Sequence, residues 1–177
     1  TVTNSNGCSG TSPAVTTAVH SLPVATINSS GPTSFCDGGN DTLRASGASS
    51  YLWSDGKTTQ SNTVTASGTF TVTVTDAFGC NGTSAPVTIN EWIIPEPVIT
   101  AVGPTTYCIG ASGSYLNTIS GSGYSYQWLK GTTAQNGATN QSYAPSSTGT
   151  YKVKITDSHS CSKTSATGIK ETVNSLP

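Results

Sequence analysis

Charge is what this sequence has least of. Asp, Glu, Lys and Arg make up 8% of its 177 residues, against roughly a quarter in an ordinary soluble domain. Seven basic side chains against eight acidic ones leave a net charge of −1. A nucleic-acid binder displaces phosphate counterions with a basic stripe, and seven scattered cations cannot make one. No apolar run approaches the roughly 18 residues of a membrane span, so membrane insertion is not expected. Methionine is absent and no signal-peptide pattern opens the chain, which reads as a mature protein or an excised piece.

Small hydroxyls fill the space that charge leaves. There are 31 Thr and 27 Ser, 58 of 177 positions, with 19 Gly, 9 Pro and 5 Cys. Internal repetition organises them. Thr73-Val74-Thr75-Asp76-Ala77-Phe78-Gly79-Cys80 matches Thr1-Val2-Thr3-Asn4-Ser5-Asn6-Gly7-Cys8 at an offset of 72. Gly68-Thr69-Phe70-Thr71-Val72-Thr73-Val74-Thr75-Asp76 matches Gly149-Thr150-Tyr151-Lys152-Val153-Lys154-Ile155-Thr156-Asp157 at an offset of 81. Phe35-Cys36 matches Tyr107-Cys108 at 72, and Trp53 matches Trp128 at 75. The later copy has gained residues on either side of its Trp, where loops tolerate insertion. Two complete units follow, 24–94 and 95–177, and residues 1–23 read as the closing hairpin of a preceding, truncated unit. Ser21-Leu22-Pro23 and Ser175-Leu176-Pro177 end their units alike. The chain is expected to be a window in a longer array.

Phe70, Val72 and Val74 alternate with Thr69, Thr71, Thr73 and Thr75, and Tyr151, Val153 and Ile155 repeat the alternation. Period two with β-branched residues predicts half-buried strands. Leu43 and Ala45, Tyr51 and Trp53, and Val87 and Ile89 mark others, separated by turn clusters such as Asp37-Gly38-Gly39-Asn40 and Ser54-Asp55-Gly56. Short strands with a turn signal every 8–12 residues predict an antiparallel sandwich. No segment sustains a helical period.

Leu43-x-Ala45, Trp53 and Gly68-Thr69-Phe70-Thr71-Val72 resemble the immunoglobulin-like fold. The fold class expected is all-β: tandem immunoglobulin-like antiparallel β-sandwiches. In that family a core Trp faces an inter-sheet disulfide, and a corner Tyr precedes its second cysteine. Here Ala45 and Val72 stand at the two usual cysteine positions, so that bridge is absent. The resemblance implies Trp53, Trp128, Phe70 and Tyr151 as core pins, with Phe70 lacking the corner hydroxyl that Tyr151 keeps. Phe35-Cys36-Asp37-Gly38-Gly39, Tyr51-Leu52-Trp53-Ser54-Asp55-Gly56 and Gly79-Cys80 are similar to repeats of large surface and secreted proteins of the Bacteroidota, among them gliding and attachment adhesins exported by the type IX system.

Repeat register pairs Cys36 with Cys80 and Cys108 with Cys161, and leaves Cys8 with a partner in the missing front of its unit. Five cysteines allow other pairings, but this one makes both complete units equivalent. A module of about 70 residues is marginal from burial alone, and closing such a loop stabilises it by roughly 4 kcal/mol in the chain-entropy model. Disulfides imply an oxidising place, cell surface or medium. No Cys-x-x-Cys or Cys/His spacing points to zinc.

No catalytic constellation stands out. His20 and His159 are the only histidines; His159 is expected to be a solvated turn residue. Ser is too abundant to be informative, and no Gly-x-Ser-x-Gly elbow occurs. The chain is read as a non-enzyme with no cofactor. Asp37, Asn40 and Asp41 are a weak calcium candidate, because a calcium ion wants six to eight oxygens and the second unit lacks the cluster; turn-forming is the plainer reading. Asp76 and Asp157 are expected to cap their turns. Trp92, Ile93, Ile94 and Pro95 form an apolar, Pro-bounded joint between the units, unlike a flexible linker. Asp41-Thr42-Leu43 fits an O-glycosylation pattern of similar Bacteroidota proteins, making Thr42 a candidate. Together these point to a non-catalytic extracellular stalk of a large cell-surface adhesin, with neighbouring repeats, and surface glycans or cell-surface ligands, as partners. A repeat of an extracellular filament, or an accessory region of a secreted polysaccharide-degrading enzyme, are the alternatives.

Overall fold

The computed structural model describes all residues from Thr1 to Pro177. It is built of strands joined by turns, with no helix. No helix is therefore long and apolar enough to cross a membrane. The chain divides into two compact units. One gathers Thr1–Asn28, Leu43–Asn62 and Thr69–Val87; the other gathers Ser29–Thr42, Thr63–Gly68 and Thr88–Pro177.

The second unit holds a complete sandwich. Strand Tyr115–Thr118 lies between Ile99–Val102 and Ser142–Tyr143, all antiparallel. The facing sheet is built on the eight-residue strand Gly149–Thr156. That strand pairs along its length with Ser125–Lys130, at its start with Ile169–Asn174 and at its end with Ser162–Thr164. Thr106–Cys108 then runs parallel to Ile169–Asn174. A first strand that leaves one sheet and adds in parallel to the last strand of the other is the immunoglobulin-like arrangement, so the fold is all-β and immunoglobulin-like.

Alternation explains the packing. Tyr151, Val153 and Ile155 are fully buried, while Lys152 between them is half-buried and Lys154 exposed. They join Leu116 of the facing sheet, Trp128, Ala138, Ile94 and Cys161 in one cluster. The Trp128 indole N–H donates to the Asn140 carbonyl at 2.9 Å. Tyr151 donates its hydroxyl to the Ser147 carbonyl at 2.8 Å, which pins the corner ahead of its strand. Glu171 is wholly buried; the Ser114 hydroxyl donates to its Oε1 at 2.5 Å, and its Oε2 has no partner. The first repeat carries Ile89 on its corresponding last strand, also wholly buried.

The first unit contains the antiparallel sheet Asn81–Thr83, Val72–Thr75 and Ser50–Trp53. Trp53, Val72 and Val74 of this sheet are buried, as are Leu43 and Ala45 of the strand Asp41–Ala45 in another sheet. The Trp53 indole N–H donates to the Thr59 carbonyl at 2.8 Å, the counterpart of the Trp128 bond. Here the structure departs from the expected continuous strand. Gly68–Phe70 and Val72–Thr75 belong to different sheets, and Thr71 lies between them. The cause is local: the Thr71 N–H donates to Ser54 Oγ at 3.2 Å and its carbonyl accepts from the Ser54 N–H at 2.9 Å. Phe70 is half-buried, where its counterpart Tyr151 is wholly buried. The N-terminal hairpin, Val2–Thr3 with Ser9–Gly10, is exposed throughout.

Replacing Tyr151 by Phe removes the corner bond and keeps the ring. The expected loss is about 1 kcal/mol of unfolding free energy, read by urea titration with an unchanged m-value.

Candidate functional site

One turn occurs three times in the chain. In Asp157–Cys161 the carboxylate Oδ1 accepts the N–H groups of His159 and Cys161, each at 2.9 Å. Asp76 Oδ1 accepts those of Phe78 and Cys80 at 2.8 and 2.9 Å. Asn4 accepts those of Asn6 and Cys8, both at 3.0 Å. Asp and Asn are the residues that close such a turn with their own side chain. The fourth position is left-handed: φ is 83° at Gly7, 83° at Gly79 and 66° at Ser160, which carries a Cβ in a region that favours glycine. Burial works to raise the Asp157 carboxyl, but hydrogen bonds from Cys161 and His159 and the nearby His159 ring hold it below its ordinary value. Sequence reasoning placed Asp76 and Asp157 here as turn caps; Asn4 does the same work.

The turn presents an aromatic residue and a cysteine, and both are engaged inside the second unit. His159 stacks on Trp92, with ring centroids 3.6 Å apart and planes 6° from parallel. It lies exposed in its turn, as expected, and one face of its ring is taken by the indole. Trp92 ends the strand Val87–Trp92, which runs parallel to Ser34–Cys36 and sets Trp92 opposite Cys36. Cys36 is disulfide-bonded to Cys161, with Cα atoms 5.5 Å apart. Asp37 pairs with Lys163 at 3.2 Å, and Glu96 accepts the Ala166 N–H at 2.7 Å. Cys36, Asp37, Trp92, Ile94, Cys161, Ser162 and Lys163 line a cleft of about 100 Å³, room for a few waters and not for a sugar.

The pairing expected from the repeat register is therefore corrected. Cys36 bonds to Cys161 and not to Cys80; Cys108 does not bond to Cys161; Cys8, Cys80 and Cys108 are free. The physical reason is where each cysteine sits. Cys36 stands opposite Trp92 in the parallel strand pair, and Trp92 stacks on His159 of the same turn that carries Cys161. Of the four joint residues named from sequence, Trp92 is half-buried in its stack and Ile94 is 3% exposed, whereas Ile93 is 67% exposed and Pro95 is exposed. Ile93 is thus the least packed of the apolar joint residues.

The first unit shows the same stack without a bridge. His20 lies on Phe78 with ring centroids 3.7 Å apart and planes 12° from parallel. His20 stands 72 positions before Trp92, and Phe78 stands 81 before His159. The ring pair recurs with its members changed. The sequence signal was there, but His20 and Trp92 differ in residue type, and reading each histidine alone hid the match.

The calcium candidate dissolves into other bonds. Ser29 and Ser30 hydroxyls and the Gly31 and Thr42 N–H groups all donate to Asp41, while Asp37 is taken by Lys163. No group of three or more His, Cys, Asp and Glu side chains is placed to hold a metal ion. Burial works to raise the Asp41 carboxyl, but the four donors, Ser29 first, hold it below its ordinary value. Thr42 is half-buried, with its hydroxyl 3.2 Å from that of Thr63.

No family model and no curated protein matches this sequence. Solved structures do. Murine CEACAM1b is similar at 18% identity, over 85% of this chain and 100% of that one, with a TM-score of 0.41. The C-terminal 282-residue fragment of intimin, solved with the intimin-binding domain of its translocated receptor, is 13% identical over 86% of this chain and 65% of that one, at 0.48. The fibronectin(III)-like modules of Clostridium thermocellum CbhA are 12% identical over 86% and 95%, at 0.37.

Two outcomes follow from these bonds. The Cys36–Cys161 bridge closes a span of 125 residues, worth about 5 kcal/mol by chain entropy. Reduction, or Cys36→Ser, is expected to lower the melting temperature of the second unit markedly, with the native far-UV circular dichroism retained below it. The lowered Asp41 carboxyl stabilises the folded state fully above its ordinary value of 3.8. That contribution is lost as pH falls below 3.8 and through the lower folded value. Asp41→Asn is expected to cost about 2 kcal/mol at pH 7 and to flatten the acid limb of a stability–pH curve measured by denaturant titration.

Proposed function

We propose that this chain is a non-catalytic extracellular structural and adhesive segment, part of the stalk of a large cell-surface adhesin of the kind borne by Bacteroidota. The observation that carries the proposal is the recurring joint: ring on ring in both compact units, closed in one by a disulfide. A stalk has to transmit load from one module to the next without folding anew at each step. Parallel rings with centroids under 4 Å contribute about 1 kcal/mol beyond their burial, and a covalent bridge removes the joint from the list of weak points. The repeat boundaries that suit this reading are 1–23, 24–94 and 95–177, and each ring stack would then join residues of successive repeats.

The surface fits the same task. With 8% charge and abundant hydroxyls, the modules are hydrated without attracting charged debris. A disulfide persists in an oxidising compartment, which supports a position outside the cytoplasm. Neighbouring repeats are the first partners, with glycans or cell-surface ligands engaged elsewhere along the parent protein. Thr42 is a position where an O-glycan would add to the hydrated surface.

A filament subunit is the second reading. It is favoured by the exposed hairpin region, where Val15 and Val19 are 89% and 97% exposed and would be covered by lateral packing.

Immunogold labelling of intact source cells, with antibody raised against this chain, tests the proposal. The expected result is label along thin projections without permeabilisation. Label seen only after permeabilisation would overturn it, and label on uniform helical fibres would transfer the assignment to the filament.

A further inference from the structure

Five of the chain's seven cations fall in residues 95–177, against three acidic side chains there; residues 24–94 hold two cations against five acidic side chains. Three of the five lysines share one face. Tyr151, Val153 and Ile155 point into the sandwich, so Lys152 and Lys154 between them point out. Lys170 stands opposite Thr150 on the neighbouring strand and points out as well, because Glu171 beside it is the buried one. Lys152 and Lys154 are about 7 Å apart along their strand, and Lys170 lies diagonally from Lys152 at roughly the same spacing. The other two lysines, Lys130 and Lys163, stand opposite Tyr151 and Ile155 and donate to Ser147 and Asp37.

No carboxylate answers the three. The ion pairs of the chain take Lys57, His159 and Lys163. Lys154 and Lys170 are exposed, and Lys152 is held in place: its Nζ donates to the Ala166 carbonyl at 2.9 Å, and a Cβ added at Gly168 would lie 3.1 Å from its Cγ. Gln127 and Thr164 flank Lys154 in register, and Ser125 and Ser162 flank Thr156. The first repeat carries Thr71, Thr73 and Thr88 where these lysines stand. The first two matches follow from the offset of 81, and the third from setting Trp92, opposite Cys36, on Asn174, opposite Cys108. Three threonines have thus given way to lysine on one side of one sheet.

We propose that this outward face, formed by Ser125–Lys130, Gly149–Thr156, Ser162–Thr164 and Ile169–Asn174, binds an acidic polysaccharide. Like charges at this spacing repel one another, and an anion laid across them relieves it. No ring lies on the face for a base to stack on, and three cations fall far short of the phosphate contacts of a duplex binder. A second copy of this chain is not the complement. Asp37, Asp55 and Glu96 are ion-paired, Asp41 takes four donors, Asp76 and Asp157 close their turns, and Glu171 is buried. Glu91 alone is left. A polymer with acidic groups recurring along it meets several ammonium groups at once, and its sugar hydroxyls meet Gln127, Thr164, Ser125 and Ser162, which both donate and accept.

The stalk reading leaves ligand contact to other parts of the parent protein; this face adds one on the repeat itself. A filament would carry it equally well, and the test below uses the isolated chain, so either inference can fail alone.

The test is binding of the full, unreduced chain to immobilised polygalacturonate by surface plasmon resonance, with dextran as the neutral polymer and a DNA duplex as the polyanion without sugar acids. The expected result is binding at about 0.1 M salt that is lost near 1 M, as the screening length falls from about 10 to about 3 Å, with no binding to dextran and weaker binding to DNA. Lys154→Thr is expected to weaken it about two- to fivefold, and Lys152→Thr, Lys154→Thr and Lys170→Thr together to abolish it. These variants restore the residue that the first repeat carries, and urea titration checks that they fold. Arg44→Thr, which removes a cation from a different sheet, should leave binding unchanged. No binding to polygalacturonate at the lower salt, full binding by the folded triple variant, a loss with Arg44→Thr equal to that with Lys154→Thr, or equal or tighter binding to dextran or DNA would each overturn the proposal.

Discussion

Asp157 holds two backbone N–H groups with a single carboxylate oxygen, and that small closure decides where two side chains go. With the turn shut and Ser160 left-handed, His159 has to lie flat on the outside and Cys161 has to point back toward the incoming strand. Trp92 and Cys36 stand side by side because their strands run parallel and in register. A ring meets a ring and a thiol meets a thiol in one approach. Neither contact would find its partner if the turn were open, because a free loop spends its entropy on many orientations of the same residues.

The same construction explains why these modules need so little charge and so small a core. Each sandwich is held by a tryptophan whose indole N–H is satisfied by a backbone carbonyl and by alternating β-branched residues beneath it. That is a modest core for its length. A chain-entropy contribution from the Cys36–Cys161 bridge is large beside it. Polar side chains do the remaining local work. Ser84 and Ser165, both buried, accept the N–H groups of Val72 and Val153 at 3.1 and 3.3 Å, which holds the break after each last hairpin in the same form.

Much of the fold was legible in the alternation of Phe70–Val74 and Tyr151–Ile155 and in the spacing of the two core tryptophans, because burial on a pleated strand writes itself in every second residue. The break at Thr71 was not, since it depends on a hydrogen-bonded exchange with Ser54 that no periodicity shows. The capped turns were legible from Asp76 and Asp157. The disulfide was not. Repeat register gives every module one front and one turn cysteine, and a module satisfied within itself and a module satisfied by its successor read identically along the chain. Only the parallel pairing of Ser34–Cys36 with the end of Val87–Trp92 puts the front cysteine at the far end of its module. His20 shows a related blindness: a position conserved in shape but not in residue type is invisible to identity matching, and it emerges once Trp92 is seen on His159.

Cys36 bonds to Cys161, 125 residues along the chain, and not to Cys80. Proteolysis of the unreduced chain, purified from its native source with free thiols blocked at harvest, followed by mass spectrometry of the linked peptides, tests it most directly. A peptide joining Cys36 to Cys161 is expected. Peptides joining Cys36 to Cys80 and Cys108 to Cys161 would contradict it.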